Sequence, residues 1–236
     1  MRAGFSLETS NGKPNMQNDL TDITILLDRS GSMTAIADDT VGGYRAFIEK
    51  QRSLPGRCVV SLFQFDNEFE CVYTALPAGD VPELIFEPRA STALLYAMCR
   101  AIAETGARLR AMPEDDRPAH VMFVTITDGE ENASGAPFTY DHLSAVIDHQ
   151  QKKYNWRFLY LGANQDAIKA ASRMGIHASS TLTFHASGDG TKSAFYSVSK
   201  YAANVRAGDA AAQFDAEDRE LQRQAAQKKP NAGDES

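Results

Sequence analysis

Cysteine is scarce in this chain: Cys58, Cys71 and Cys99 are its whole thiol content. Odd in number and without close pairing, they suggest neither a disulfide framework nor a zinc site, and they fit a reducing compartment. No stretch approaches the ~20 apolar residues of a membrane span. The first twenty residues, with Asn11-Gly12-Lys13-Pro14-Asn15, contain no apolar core of a signal peptide, so a cytoplasmic location is expected. Positive charge is also in deficit, the net charge being -7 and the pI near 5.3. Lys152-Lys153 and Lys228-Lys229 are too short to be more than solvated surface. Such a chain has no broad attraction to phosphate backbones or anionic bilayers, and neither nucleic acid nor a membrane is an expected partner.

Common catalytic signatures are missing too. There is no Gly-x-Gly-x-x-Gly, no Walker-type loop, no Gly-x-Ser-x-Gly elbow and no local Cys/His pair. His142 and His149, seven apart on a predicted helix, could share a face, although surface or core histidines are far commoner than ligands. No internal repeat is present. What remains, 236 residues with 43% hydrophobic and 23% charged, suits one soluble globular domain with extensions.

Apolar runs alternate with helical patterns. The segment Ile23-Thr24-Ile25-Leu26-Leu27 reads as a buried strand, and 41–54 as a helix with Tyr44, Phe47 and Ile48 at helical spacing, broken by Pro55-Gly56. A strand is predicted over 58–65, with 69–73 as its hairpin partner after Asp66-Asn67. A helix over 92–112 precedes the strand 121–127. Then follow a helix at 140–154, a strand at 156–161, a helix at 165–174, a strand at 181–184 and a closing helix at 191–205. The pattern predicts an α/β doubly wound, Rossmann-like sheet, mostly parallel with one antiparallel edge strand and helices on both faces. Residues 1–19 form a polar lead, 20–206 the domain, and 207–236 a polar C-terminal helix or frayed tail, disordered from Lys228 onward.

Two of these strands end in acid. The first runs into Asp28-Arg29-Ser30-Gly31-Ser32, the other into Asp128-Gly129-Glu130-Glu131-Asn132, and Ser91-Thr92-Ala93-Leu94 lies between them at a predicted helix start. In a doubly wound sheet, ligands bind outside the carboxyl ends of strands at the switch in strand order, so both tips can face one crevice. Two aspartates, two serines and a threonine, with water, can fill the octahedral oxygen shell that magnesium demands. Each piece alone is also the composition of a turn or a helix N-cap; their order along the chain separates the readings.

Asp28-x-Ser30-x-Ser32, Thr92 in Ser-Thr-Ala-Leu and Asp128 in Thr-Asp-Gly, in that order and after strands of the right type, resemble the metal-ion-dependent adhesion site of von Willebrand factor type A domains over roughly residues 20–206. The resemblance implies that Ser30, Ser32 and Thr92 are hydroxyl ligands of Mg2+, with Mn2+ or Ca2+ as alternatives, and that Asp28 and Asp128 bind the ion directly or through water. It further implies a site one ligand short, completed by an Asp or Glu of a partner protein, so that the metal is a contact and not a catalyst. Intracellular relatives often act beside AAA+ ATPases or in stress and mobile-element systems, which points to an adaptor in such an assembly. This chain departs from the usual pattern at Ser91, where many relatives have glycine, and at Tyr96, where they have aspartate.

Glu130, Asn132 and Asn164 are candidates for the partner-binding rim, although Glu130 and Asn132 also suit a solvated loop and Asn164 a glycine turn with a helix cap. Two rival functions remain. One is a Mg-dependent phosphotransferase or hydrolase with Asp28 as nucleophile, although a haloacid-dehalogenase-like enzyme would carry a second aspartate where this chain has Ser30. The other is a scaffold subunit whose metal site is idle.

Overall fold

The computed structural model describes residues 19–163 and 167–228. Its strands are β1 (Thr21–Asp28), β2 (Cys58–Phe65), β3 (Phe69–Pro77), β4 (His120–Thr127), β5 (Arg157–Ala163) and β6 (Thr181–Phe184). Its α-helices are α1 (Ala37–Ser53), α2 (Leu94–Ala111), α3 (Tyr140–Tyr154), α4 (Ala167–Arg173), α5 (Gly188–Arg206) and α6 (Ala216–Gln227). They form one six-stranded sheet in the order β3-β2-β1-β4-β5-β6. Every pairing is parallel except β2 with β3, the hairpin at one edge, as the alternation of elements predicted.

Side chains alternate across the sheet, and each set has its own helices. Ile23, Ile25 and Leu27 of β1 point to the face covered by α1 and α5, where Phe47 and Phe195 are buried. Leu26 of β1 and Phe123 of β4 point to the opposite face, packed with Met98 of α2, Leu143 of α3 and Ala171 of α4. Both faces are covered, which is why the central strands read as continuous apolar runs. The helices α1 and α5 lie side by side in the same direction, tied at their starts by Lys192 to Asp39 at 3.2 Å and at their ends by Arg206 to the Gln51 carbonyl at 2.8 Å. A Cβ at Gly43 would lie 2.3 Å from Phe195, so this close approach requires glycine there.

The chain leaves β1 toward β2 through α1 on one face, then crosses to β4 through α2 on the other. The carboxyl ends of β1 and β4 therefore stand side by side at the switch point.

One element differs from the sequence reading, and another settles what that reading left open. The helix expected from 41 begins at Ala37, after a 3-10 helix over Gly31–Ile36 that carries the chain away from Asp28. The polar segment after Ala207 forms α6, closed at its start by a capping box in which Asp215 and Asp218 each accept the other's backbone N–H. Lys200 of α5 ion-pairs with Asp215, Glu217 and the fully buried Asp218, and Gln222 bonds the His185 N–H and the Gly190 carbonyl. Charge and hydrogen bonding, rather than large apolar residues, dock this helix, so its hydropathy left helix and frayed tail undecided. Of the segment from Lys228 onward, expected to be disordered, Lys228 pairs with Asp189 at 2.8 Å, and 229–236 lie outside the described residues.

Candidate metal centre

Asp28 closes β1 with its side chain fully buried. One carboxylate oxygen accepts the Ser30 N–H at 2.7 Å, and the other accepts the Thr127 hydroxyl at 2.5 Å from the end of β4. Thr127 in turn accepts the Gly129 N–H at 3.1 Å, so the turn after β4 is fastened to the turn after β1. The Ser30 and Ser32 hydroxyls are 3.2 Å apart, and the Ser32 hydroxyl donates to Asp128 at 2.6 Å.

Thr92 enters from the third loop. The point where a Cβ would stand on Gly129 is 2.7 Å from Thr92 Oγ1 and 3.5 Å from Asp28 Oδ2, so the hydroxyl and the carboxylate converge on the space this glycine leaves open. The structure thus brings Asp28, Ser30, Ser32, Thr92 and Asp128 together around the switch point.

Electrostatically the cluster lacks positive charge. Burial, with the Asp128 charge adding to it, pushes Asp28 up to about 6 despite the hydrogen bonds from Thr127 and Ser30. Burial also raises Asp128, against the Ser32 hydrogen bond. Among the described residues, no Lys, Arg or His pairs with either aspartate. The adjacent Arg29 is turned away, its guanidinium bonding Asp66 at 2.9 Å and also Glu70. Thr92 Oγ1 has no hydrogen-bond partner among the described residues. Two carboxylates without a counter-charge, three hydroxyls and no nitrogen or sulfur make a hard-oxygen donor set that fits a divalent cation of the Mg2+ class.

The support around these donors was not foreseen. Arg29 and Arg89 both bind Asp66, at 2.9 Å each, and their hydrogen bonds hold this aspartate below the usual carboxylate range although burial works the other way. The main chain completes the clamp, with the Arg89 N–H on the Arg29 carbonyl and the Ala93 N–H on the Asp66 carbonyl. Glu131 accepts the Leu95 N–H at 2.8 Å and the Ser134 N–H and hydroxyl at 2.7 Å each, and Ser134 Oγ accepts the Tyr96 N–H at 3.0 Å. The loop after β4 therefore caps α2 from outside that helix. Thr92, open to an N-cap reading from sequence, makes no such bond; Ala93 occupies the cap position. Thr127 had a visible signal in its place beside Asp128, whereas Asp66 and Glu131 had none, because Arg29, Arg89 and Leu95, which they bind, are distant in sequence.

The rim candidates separate. Glu130 is exposed on the loop. Asn132 is a strut, its side chain accepting the Thr92 N–H at 3.0 Å and its own N–H bonding the Thr92 carbonyl at 3.1 Å. Asn164 lies outside the described residues. Tyr96 packs edge-on against Phe138 and Phe69 and accepts a bond from Arg100 at 3.0 Å. Ser91 is exposed.

No protein-family model and no curated protein matches the chain. Solved structures do. The pilus adhesin SpaC from Lactobacillus rhamnosus GG, in an open conformation, is 16% identical with a TM-score of 0.59 over 78% of this chain and 30% of its own. Proximal thread matrix protein 1 from the mussel byssus, with a zinc-occupied MIDAS motif, is 15% identical with a TM-score of 0.55 over 79% of this chain and 46% of its own. A von Willebrand factor type A protein from Catenulispora acidiphila is 14% identical with a TM-score of 0.52 over 78% of this chain and 43% of its own. The chain spans less than half the length of each. What they share with it at these identities is architecture: this chain has the von Willebrand factor type A fold.

Proposed function

We propose that this chain is a protein-binding module whose contact runs through a divalent cation, Mg2+ in the cell, and that it is not an enzyme. Asp28, Ser30, Ser32, Thr92 and Asp128 would hold the ion, and an Asp or Glu of the partner would complete its shell. The observation that carries this reading is the convergence of five hard-oxygen side chains from three loops, two of them aspartates without a counter-charge. The zinc-occupied MIDAS motif of the mussel protein, on the same fold, favours a divalent ion in this position.

When bound, the ion would supply Lewis acidity, because hydroxyl ligands leave its charge only partly compensated. The protein's own part is orientation. Thr127 and the Ser30 N–H fix both oxygens of Asp28, Asn132 holds the backbone of Thr92, and Ser32 steadies Asp128. The same contacts weigh against Asp28 as a phosphoryl nucleophile, since both its oxygens are engaged and the residue is fully buried. The excess of acid on the chain and its three unpaired cysteines favour a cytoplasmic adaptor, in an assembly such as one built on an AAA+ ATPase.

The test is capture of partners from the source cell's lysate by the tagged chain in magnesium, in EDTA, and with Thr92→Ala in magnesium. The proposal expects a partner retained only by the wild-type chain in magnesium. A partner held equally under all three conditions would sink the metal bridge.

A further inference from the structure

We propose that a second site, at the end of the sheet opposite the metal centre, binds a small planar aromatic anion. A cavity of about 360 Å³ opens between α2 and α3 beside Val121, near the start of β4, and Trp156, just before β5. Its volume is in the range of small-molecule sites, and like them it joins an apolar body to a few polar groups.

The apolar part is a slot. A Cβ on Gly106 of α2 would lie in ordinary contact with the Trp156 ring at 3.9 Å and the Gln150 amide at 3.8 Å, so the missing side chain leaves a gap at the edge of the buried indole. Tyr154, half exposed, adds a second ring to the lining. Two aromatic residues beside a gap suit a flat ring, which gains from offset or edge contact as well as from burial.

The polar part is cationic. Arg110 and Arg117 both line the cavity. The Arg117 guanidinium reaches only backbone carbonyls, those of Met112 at 3.3 Å and Arg110 at 3.4 Å. Among the described residues, neither arginine pairs with a carboxylate, and the exposed Glu114, Asp115 and Asp116 of the preceding turn make no ion pair with Arg117. Two guanidinium charges without a carboxylate partner, beside an apolar slot, match a carboxylate or similar anion carried on a ring. This inference is independent of the metal reading, because α2 meets the metal centre at its other end.

Naphthalene-2-carboxylate and its neutral carboxamide test the proposal by titration calorimetry on the full chain. Trp156, the only tryptophan, provides a second readout by its emission. The carboxylate is expected to bind saturably at one site, with the carboxamide about tenfold weaker. The double variant Arg110→Gln, Arg117→Gln is expected to bring the two probes to equal affinity, and Gly106→Leu to abolish binding of both. Circular dichroism checks the fold, and Ala103→Phe, on an exposed position of the same lining, replaces Gly106→Leu if that variant does not fold. Absence of saturable binding at millimolar probe, equal affinity of the wild type for both probes, or undiminished binding by a folded pocket-filling variant would each overturn the proposal.

Discussion

Replacing Asp28 by Asn should stabilise the metal-free chain at neutral pH and abolish its response to magnesium. Burial, followed by the Asp128 charge, lifts Asp28 to about 6 in the folded chain. Against an unfolded value of about 3.9, the difference of roughly two units corresponds to about 3 kcal/mol. An acid whose folded value is raised holds its proton more tightly when folded. Its contribution is therefore full below about pH 4 and is lost as the pH rises through about 6. Asn keeps an acceptor for the Ser30 N–H and a shape close to that of the neutral acid, and the Thr127 hydroxyl can reverse to accept from the amide. Urea unfolding in chelator, at several pH values from 4 to 7.5, should show the wild type losing up to about 3 kcal/mol relative to Asp28→Asn. Magnesium at 100 times its dissociation constant should then return about 2.7 kcal/mol to the wild type and nothing to the variant. Parallel pH curves for the two chains would refute the assignment of an uncompensated buried charge to Asp28.

Other substitutions probe the supports. Gly129→Ala places a Cβ 2.7 Å from Oγ1 of the buried Thr92, which must shift, so metal affinity and the unfolding midpoint in chelator should both fall, as titrations with Mn2+ and urea would record. Glu131→Ala releases the donors of Leu95 and Ser134; a loss of 10- to 100-fold in metal affinity is expected, about the effect of removing groups that orient metal ligands, together with faster hydrogen exchange at the start of α2. Arg108→Ala strands the buried Asp22, which now accepts two bonds at 2.7 and 2.9 Å, and should cost about 3 to 5 kcal/mol in urea unfolding.

The sheet was legible because its central strands are buried on both faces and end in turn residues, so Ile23–Leu27 and Val121–Thr127 identify themselves. Four of the five candidate oxygen donors were legible for a related reason: polar residues straight after an apolar strand have few reasons to be there, whereas Thr92, before α2, was singled out by its order between the two strand tips. What escaped reading is held by contacts between distant positions. Asp66 is organised by Arg29 and Arg89, 37 and 23 residues away. Glu131 carried no signal because its role exists only once α2 stands beside it. Asn132, expected at the rim, is exposed and also braces the Thr92 backbone. The helix α6 was ambiguous for want of apolar residues, and what secures it is a lysine on α5 together with Gln222.

The central claim is that three loops fold into one cation site, and equilibrium dialysis of the chain against Mn2+ tests it most directly. The account predicts one ion per wild-type chain, displaced by excess magnesium, and loss of that ion in both Asp28→Ala and Thr92→Ala. A wild-type chain that takes up no ion, or variants that bind it as the wild type does, would contradict it.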